Sequence, residues 1–309
     1  MQSISNMYYL EMSKHAYIFT INGNLKVVNT CLELLDYSTN DFYILCDSKW
    51  GDINHVKSQL YNPCNATLRY ISSYTINWGA YSQVSAIISL LKIVIASGIE
   101  YTYIHFLQGS DLPIKSNDAI ISFFEKNSGK EFVNVETAES DIQWANKCCQ
   151  WRYFLSHNRY YRNSLVLKTL NFALVKVQQM LRCSVHKNMK FYYGSAIFSI
   201  TLNFARYLLS QENHIKDLFR WALAPDEKFI QTMLMNSPYA SNLYSSNAFL
   251  IDWERRNGNS PYVWRIDDFP FLISQPVDMC YARKFVETVD MDIVNALKSH
   301  ILNEENNCF

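Results

Sequence analysis

Several things are missing from this chain of 309 residues. Neither Gly-x-Gly-x-x-Gly nor Gly-x-x-x-x-Gly-Lys-Ser/Thr occurs, so the phosphate cradles of ordinary dinucleotide-binding and P-loop proteins are absent. There is no Gly-x-Ser-x-Gly elbow, and histidines 15, 55, 105, 157, 186, 214 and 300 form no short metal-ligand pair with one another or with cysteine, which removes common hydrolase and zinc chemistries. Charge of one sign is missing too: 28 lysines and arginines, scattered along the chain, balance 28 acids, and nucleic acid is not an expected partner. The longest apolar run, Val84 to Ala96, is cut by Lys92 and is shorter than the ~20 residues needed to cross a bilayer. Met1 to Asn6 lacks the basic flank and apolar core of a secretory signal, so the expected compartment is the cytoplasm. Eight cysteines are dispersed without a Cys-x-x-Cys, Cys148 and Cys149 are vicinal, and all are read as reduced thiols. Asn65-Ala66-Thr67 then reads as a chance sequon in a loop.

With only eight glycines and seven prolines there is no flexible linker and no low-complexity tract. The composition, 49% hydrophobic and 15% aromatic, is that of a folded chain, expected to form a single domain over 1–309 whose halves, about 15–135 and about 136–302, share one core. In the first half the periodicities alternate. Ala16 to Ile21 reads as a strand ended by Asn22-Gly23-Asn24, and Leu25 to Leu35 as a helix with Leu25, Val28, Leu32 and Leu35 on one face. Phe42 to Cys46 and Leu68 to Ile71 are further strands. Tyr81 to Ala96 is a helix with Gly98 at its C-cap, and Tyr101 to Leu107 is a central strand that breaks at Gln108-Gly109-Ser110-Asp111-Leu112-Pro113. His105, inside that strand, reads as a satisfied core histidine. The pattern argues for an α/β sheet covered by helices on both faces. In the second half, Asp141 to Met180 reads as largely helical, Phe191 to Ile200 as a strand around Gly194, and Pro225 to Met235 as a helix opened by proline.

Six blocks occur in series: Trp78-Gly79-x-x-Ser82; His105-Phe106-Leu107-x-Gly109-x-Asp111-Leu112-Pro113-Ile114-Lys115-Ser116-Asn117; Gly194-Ser195-Ala196-x-Phe198; Pro225-Asp226-Glu227-x-Phe229; Ile251-Asp252-Trp253; and Ala282-Arg283-Lys284-Phe285. Together they resemble the core-2/I-branching β-1,6-N-acetylglucosaminyltransferase family, which also contains peptide O-xylosyltransferases, over roughly Ala16 to Ile301. The resemblance implies a GT-A-type αβα sandwich with a mostly parallel mixed central sheet. The first half would bind a nucleotide sugar, and the second would hold the acceptor and the catalytic group. It also implies an inverting transferase that moves N-acetylglucosamine, xylose or a similar sugar from a UDP-sugar to a glycan hydroxyl. The short N-terminus is similar to that of a bacterial member, with a lipid-linked acceptor and peripheral association with the inner face of a membrane as one setting.

The resemblance assigns residues to that chemistry. Lys284, in an apolar setting beside Arg283, would hold the leaving diphosphate, with an upstream arginine among Arg255, Arg256 and Arg265; spacing favours Arg265. Glu227 matches the catalytic base, although an acid in a first helical turn also suits the helix dipole. Asp47, after the second strand, matches a uridine contact or forms a turn. Ile18 and Asn22 could border the base. Trp78 and Gly79 open the helix beside the nucleotide, Trp78 being equally a packing anchor. Asp111 contacts the sugar or organises its turn. Trp144, Trp151, Arg152 and Tyr153 suit an acceptor sugar but fit core packing better. No metal cofactor is expected, since the slot Leu107 to Asp111 has one carboxylate where an Asp-x-Asp would hold a metal, and Asp290-Met291-Asp292 reads as the cap of the C-terminal helix. The arginine expected near Phe249 in relatives is absent here. A non-catalytic sugar-binding module of this fold would tolerate loss of Glu227 and Lys284, and a nucleotide-sugar hydrolase would need a site that excludes acceptor sugars.

Overall fold

The computed structural model describes residues 13–256, 258 and 260–306; Met1 to Asn6 lie outside them. The strands are β1 (His15–Ile21), β2 (Asn40–Asp47), β3 (Thr67–Tyr74), β4 (Tyr103–Gln108), β5 (Asp111–Pro113), β6 (Phe132–Val133), β7 (Phe198–Thr201), β8 (Phe249–Ile251) and β9 (Tyr281–Arg283). The helices in the first half are α1 (Leu25–Leu34), α2 (Ile53–Gln59), α3 (Tyr81–Ala96) and α4 (Asn117–Lys126). Then come α5 (Glu139–Cys149), α6 (Leu165–Met180), α7 (Leu202–Ser210), α8 (Glu212–Phe219), α9 (Phe229–Met235), α10 (Phe269–Ile273) and α11 (Asp292–Asn306).

The main sheet runs β3-β2-β1-β4-β7-β6, with β1 to β4 parallel and β7 antiparallel to both its neighbours. It is the α/β sheet that the alternating periodicities predict, mixed and mostly parallel as the resemblance implies. The chain moves outward from β1 through β2 to β3 and then crosses back to β4, so β1 lies at a topological switch point. With the usual right-handed crossovers, this reversal of direction sets α1 and α3 on opposite faces, the arrangement in which a crevice opens beyond the carboxyl ends. Register brings those ends level, with Ile21 beside Cys46 and Thr20 beside Gln108. A smaller sheet, β5-β9-β8, lies just beyond β4 and ties the C-terminal segment to that end of the main sheet.

Apolar packing runs without a break from Ala16 in β1 to Leu297 in α11. Inside it, His15 Nδ1 and His105 Nε2 are 2.8 Å apart, His105 Nδ1 lies 2.7 Å from Ser199 Oγ, and Tyr17 stacks on His105 at 4.6 Å. This is the satisfied core histidine expected of position 105. Burial holds His15 far below the ordinary imidazole range, at about 3, and burial followed by the neighbouring His15 holds His105 well below it too. The described cysteines are free thiols. Among the described residues no helix is long and apolar enough to cross a membrane.

Three expectations in the second half need correction. Of the segment Phe191 to Ile200, only Phe198 onward is strand. A Cβ on Gly194 would come within 2.0 Å of the Asn134 carbonyl oxygen, so the glycine lets two backbones press together instead of continuing a ladder. The Pro225 to Met235 helix is broken: Pro225–Glu227 is a single 3-10 turn, and Lys228, at φ −137°, leaves helical geometry before α9 begins. The long helical stretch is interrupted between α5 and α6 by 3-10 turns at Phe154–His157 and Tyr161–Asn163. Asp290 behaves as a cap, its Oδ1 accepting the backbone N–H of Asp292 at 2.9 Å and of Ile293 at 3.1 Å.

Candidate active site

A cleft lies beyond the carboxyl ends of β1, β2 and β4, bordered by Asn22, Asp47, Trp78, Gln83, Gln108 and Arg162 among others. Sequence reasoning missed two of these. Gln83 is on the first turn of α3, and Arg162 comes from the 3-10 turn before α6, where its guanidinium sits 5.2 Å from the centre of the Trp78 ring. Trp78 is 48% exposed, which makes it a wall of the cleft rather than a core anchor. Ile18, by contrast, is fully buried within β1 and cannot border a ligand.

Asp47 is buried at the end of β2. Its Oδ1 accepts from the Lys49 N–H at 3.2 Å, and the Lys49 ammonium lies 3.1 Å from Oδ2. The carboxylate thus forms the turn and also edges the cleft.

Asp111 and Arg283 meet across the small sheet. Arg283 Nε donates to Asp111 Oδ1 at 2.6 Å, its Nη2 to Oδ2 at 3.1 Å, and the same Nη2 to Gln108 Oε1 at 2.8 Å. Asp111 Oδ2 also accepts the Gln108 N–H at 2.8 Å. A bidentate pair this buried organises the turn after β4, and both partners are spent on each other.

Lys284 is different. It is half-buried, its ammonium reaches Ser260 Oγ at 3.2 Å, and no described carboxylate lies within ion-pair distance. Burial, followed by the positive charges of Arg283 and Arg162, lowers its pKa, so three cationic groups lie near one another, with Arg162 lining the cleft. The backbone is fixed on both sides: Phe285 N–H donates to the Ser110 carbonyl at 2.9 Å and Trp264 N–H to the Lys284 carbonyl at 3.0 Å. Asn24 clamps the same place, donating to the carbonyls of Gly109 at 2.6 Å and Phe285 at 2.9 Å. The peptide between Arg283 and Lys284 is cis.

The upstream arginines do not join this group. Arg255 is held by Asp252 at 2.6 Å and Asp268 at 2.8 Å and lies 3.8 Å above the Tyr262 ring. Arg265 is exposed at a turn whose nearby acids are Asp268 and Asp290, and no described contact joins it or Arg256 to Lys284. The cation that reaches Lys284 from elsewhere in the chain is Arg162.

Glu227 ends the Pro225–Glu227 turn. Ala224, just before it, adopts a left-handed conformation at φ 46°, an unusual posture for a residue with a Cβ, and three bonds hold the turn. Ala224 N–H donates to the Gly79 carbonyl at 3.1 Å, Gly194 N–H donates to the Glu227 carbonyl at 3.0 Å, and Gln83 Nε2 donates to Asp226 Oδ2 at 2.7 Å. Gly79, at φ +69°, is free to bend there because it has no side chain. The edge of the cleft and the acidic turn are therefore fastened together through Gly79 and Gln83. The Glu227 carboxylate is 39% exposed, accepts no hydrogen bond from a described residue, and has the buried Lys228 ammonium 3.8 Å away. Asp226 is buried with Oδ1 unpartnered, and desolvation, then the charge of Glu227, pushes its pKa up to about 7.

Among the described residues, no group of three or more His, Cys, Asp or Glu side chains is arranged to hold a metal ion. Trp144 is 44% exposed, whereas Tyr153 is buried in the second half, so the aromatic group set aside as packing is only partly so.

The structure thus combines a mostly parallel α/β sheet, a switch-point cleft lined by Arg162, an acidic turn fastened to the cleft edge and a nearby pair of basic residues, Arg283 and Lys284. Residues 15–269 match the core-2/I-branching enzyme family, and the chain belongs to that family. Xylosyltransferase oxt of Drosophila pseudoobscura pseudoobscura is 21% identical over 308 residues, covering 92% of this chain and 33% of its own. Xylosyltransferase 2 of Canis lupus familiaris is 20% identical, covering 93% and 33%. The human N-acetyllactosaminide beta-1,6-N-acetylglucosaminyl-transferase is 25% identical, covering 87% and 67%. The chain thus spans about a third of the length of these xylosyltransferases. Among solved structures, apo mouse xyloside xylosyltransferase 1 is similar over 87% of this chain and 97% of its own, with TM-score 0.39 and 12% identity.

Proposed function

We propose that the chain is an inverting glycosyltransferase that moves a sugar from a UDP-sugar to a glycan hydroxyl, with Glu227 as general base. The observation that carries this reading is the fastening of the Glu227 turn to the cleft edge through Gly79 and Gln83, which leaves a carboxylate free of hydrogen bonds beside a site walled by Trp78, Arg162 and Asp47. Glu227 takes the proton of the acceptor hydroxyl as its oxygen attacks the anomeric carbon. The bond from that carbon to the diphosphate breaks on the opposite face, and the configuration inverts. Negative charge appears on the departing diphosphate, where Lys284 and Arg162 supply fixed positive charge. Arg283 contributes by holding Asp111 and the β4 turn in place beneath Lys284. Asp47, Trp78 and Gly79 border the nucleoside, and membership of this family favours N-acetylglucosamine or xylose as the sugar. Arg265 is left out of the diphosphate site, since its acids lie at a separate turn.

Because Asp111 is engaged by Arg283 and positive charge comes from side chains, transfer proceeds without a divalent metal. The test combines a panel of nucleotide sugars screened for protection against thermal unfolding with product analysis by NMR for the donor that protects. A ligand at a hundred times its dissociation constant adds about 2.7 kcal/mol. An α-linked donor gives a β-linked product, and turnover persists in a chelator. A retained configuration, release of free sugar in place of transfer, or activity restored only by manganese would overturn the corresponding part of the reading.

A further inference from the structure

The balance of charge over the whole chain conceals one asymmetry. Between Asp141 and Glu212 there is no acidic residue, while ten lysines and arginines fall in that interval. At its centre is α6, a helix that leans on the protein through a narrow face: Asn171 and Val175 are its buried residues. About a third of a turn round the helix from them are Val166, Leu170, Leu174, Val177 and Leu181, spaced i, i+4, i+8, i+11 and i+15, which at 3.6 residues per turn form one stripe. All are solvent-exposed, from 40% at Leu174 to 68% at Val166, and Met180 beside them is 84% exposed. Lys168, Lys176 and Arg182 stand elsewhere around the same exposed helix and its C-terminal end, and the Lys176 ammonium sits 5.3 Å above the Phe172 ring. No described residue covers this face.

A helix normally buries its apolar stripe against its own protein; here the stripe points away from it. We propose that α6 and its basic surroundings form a docking surface for a bilayer rich in anionic phospholipid, with the leucine and valine stripe lying among the acyl chains and the lysines and arginines at the headgroups. Charge selects this occupant. A second copy docked through the same face would set bases against bases with no acid to pair them, and a nucleic acid would meet an apolar stripe where it needs cations. Arg162, which borders the cleft, lies three residues before α6, so the docked bilayer lies beside the cleft mouth. Given the transferase reading, an acceptor carried on a lipid would reach the site without leaving the leaflet. Docking itself is independent of that reading, and its test requires no turnover.

The experiment is vesicle flotation of the full chain, with phosphatidylcholine alone and with phosphatidylcholine mixed with phosphatidylglycerol. The wild type floats with the anionic vesicles, much less with the neutral ones, and high salt releases part of it. Leu170→Glu/Val177→Glu abolishes flotation, and Lys168→Glu/Lys176→Glu lowers the bound fraction about tenfold or more. Both variants keep the wild-type thermal unfolding midpoint, because all four side chains are exposed. Absence of flotation with anionic vesicles would overturn the proposal, as would a Leu170→Glu/Val177→Glu protein that floats like the wild type. A wild-type dimer that this double variant turns into a monomer in sedimentation would assign the face to a second copy instead.

Discussion

The acids that the two halves of the chain bring to the cleft are used in different ways. In the first half Asp47 and Asp111 stand at strand ends, buried, and each is committed to a cation and to the adjoining turn. In the second half Glu227 stands on a turn, partly in water, with no hydrogen bond from a described residue and only Lys228 close by. The cations at the site divide into two kinds as well: Arg283 is consumed by Asp111, whereas Arg162, which lines the cleft, and Lys284 have no described carboxylate partner. Paired groups build the floor of the site, and the charged groups left without a hydrogen-bonded ionic partner are those with interaction energy to give to a substrate.

The sharpest way to break this contrast is at Glu227. Glu227→Gln preserves size and the main-chain bonds to Gly194 and Ala224, so the fold and nucleotide binding persist. Turnover falls by about 10²–10⁴, the usual cost of losing proton transfer to a positioned base. A variant that keeps full activity in an initial-rate assay would return Glu227 to the role of a turn acid.

Arg283 tests the other side. Arg283→Met strands the buried Asp111 without its cation, and breaking a buried pair in this way costs about 3–5 kcal/mol of stability, read in chemical denaturation. Pairing it with Asp111→Asn recovers part of that loss. Were Arg283 a direct diphosphate ligand, the double variant would recover stability while still failing to bind UDP.

Lys284→Ala gives the complementary result. The unfolding midpoint stays near that of the wild type because a single hydroxyl bond, to Ser260, is lost. UDP affinity drops, and turnover falls by about 10²–10³ because the interaction strengthens as charge develops on the leaving group. Unchanged UDP affinity measured by calorimetry would move the anion site away from Lys284.

Much of the first half was legible because β1, β2 and β4 carry compact apolar runs and α1 is amphipathic; α3 begins and ends where periodicity and Gly98 place it. The second half resisted for identifiable reasons. Gly194 looked like a strand residue, but its position is fixed by a close approach to Asn134, more than fifty residues away in sequence. Proline at the head of Pro225 to Met235 marked a helix start correctly, yet a buried Lys228 separates that first turn from α9. Glu227 and Lys284 could be named because they stand in dense local motifs. Arg162 could not, because it belongs to no motif and reaches the cleft only through the turn that precedes α6. Asn24 offered a faint signal, in Asn22-Gly23-Asn24, for the clamp that holds Lys284 in place.

The smallest effect concerns pH, where two sets of buried groups oppose each other. His15 and His105, in β1 and β4, stay neutral when folded, with pKa values pulled below the ordinary 6.5 by burial. Their contribution to stability is complete above pH 6.5 and is lost as pH falls below it, because the unfolded chain then takes up protons that the folded chain refuses. Asp226 and Glu131 do the reverse. Burial pushes both to about 7, so the folded chain holds protons that the unfolded chain has already released, and their contribution fades as pH rises toward 7. Between pH 5 and 6.5 the two sets offset one another, each group being worth up to about 1.4 kcal/mol per pH unit. Asp226→Asn removes one carboxyl from that balance. Its unfolding free energy, measured by urea denaturation at pH 5, 6 and 7, should decline toward acid more steeply than that of the wild type, by about 1 kcal/mol per unit. Parallel curves would mean that Asp226 is ionised in the folded protein and that its buried oxygen has found another partner.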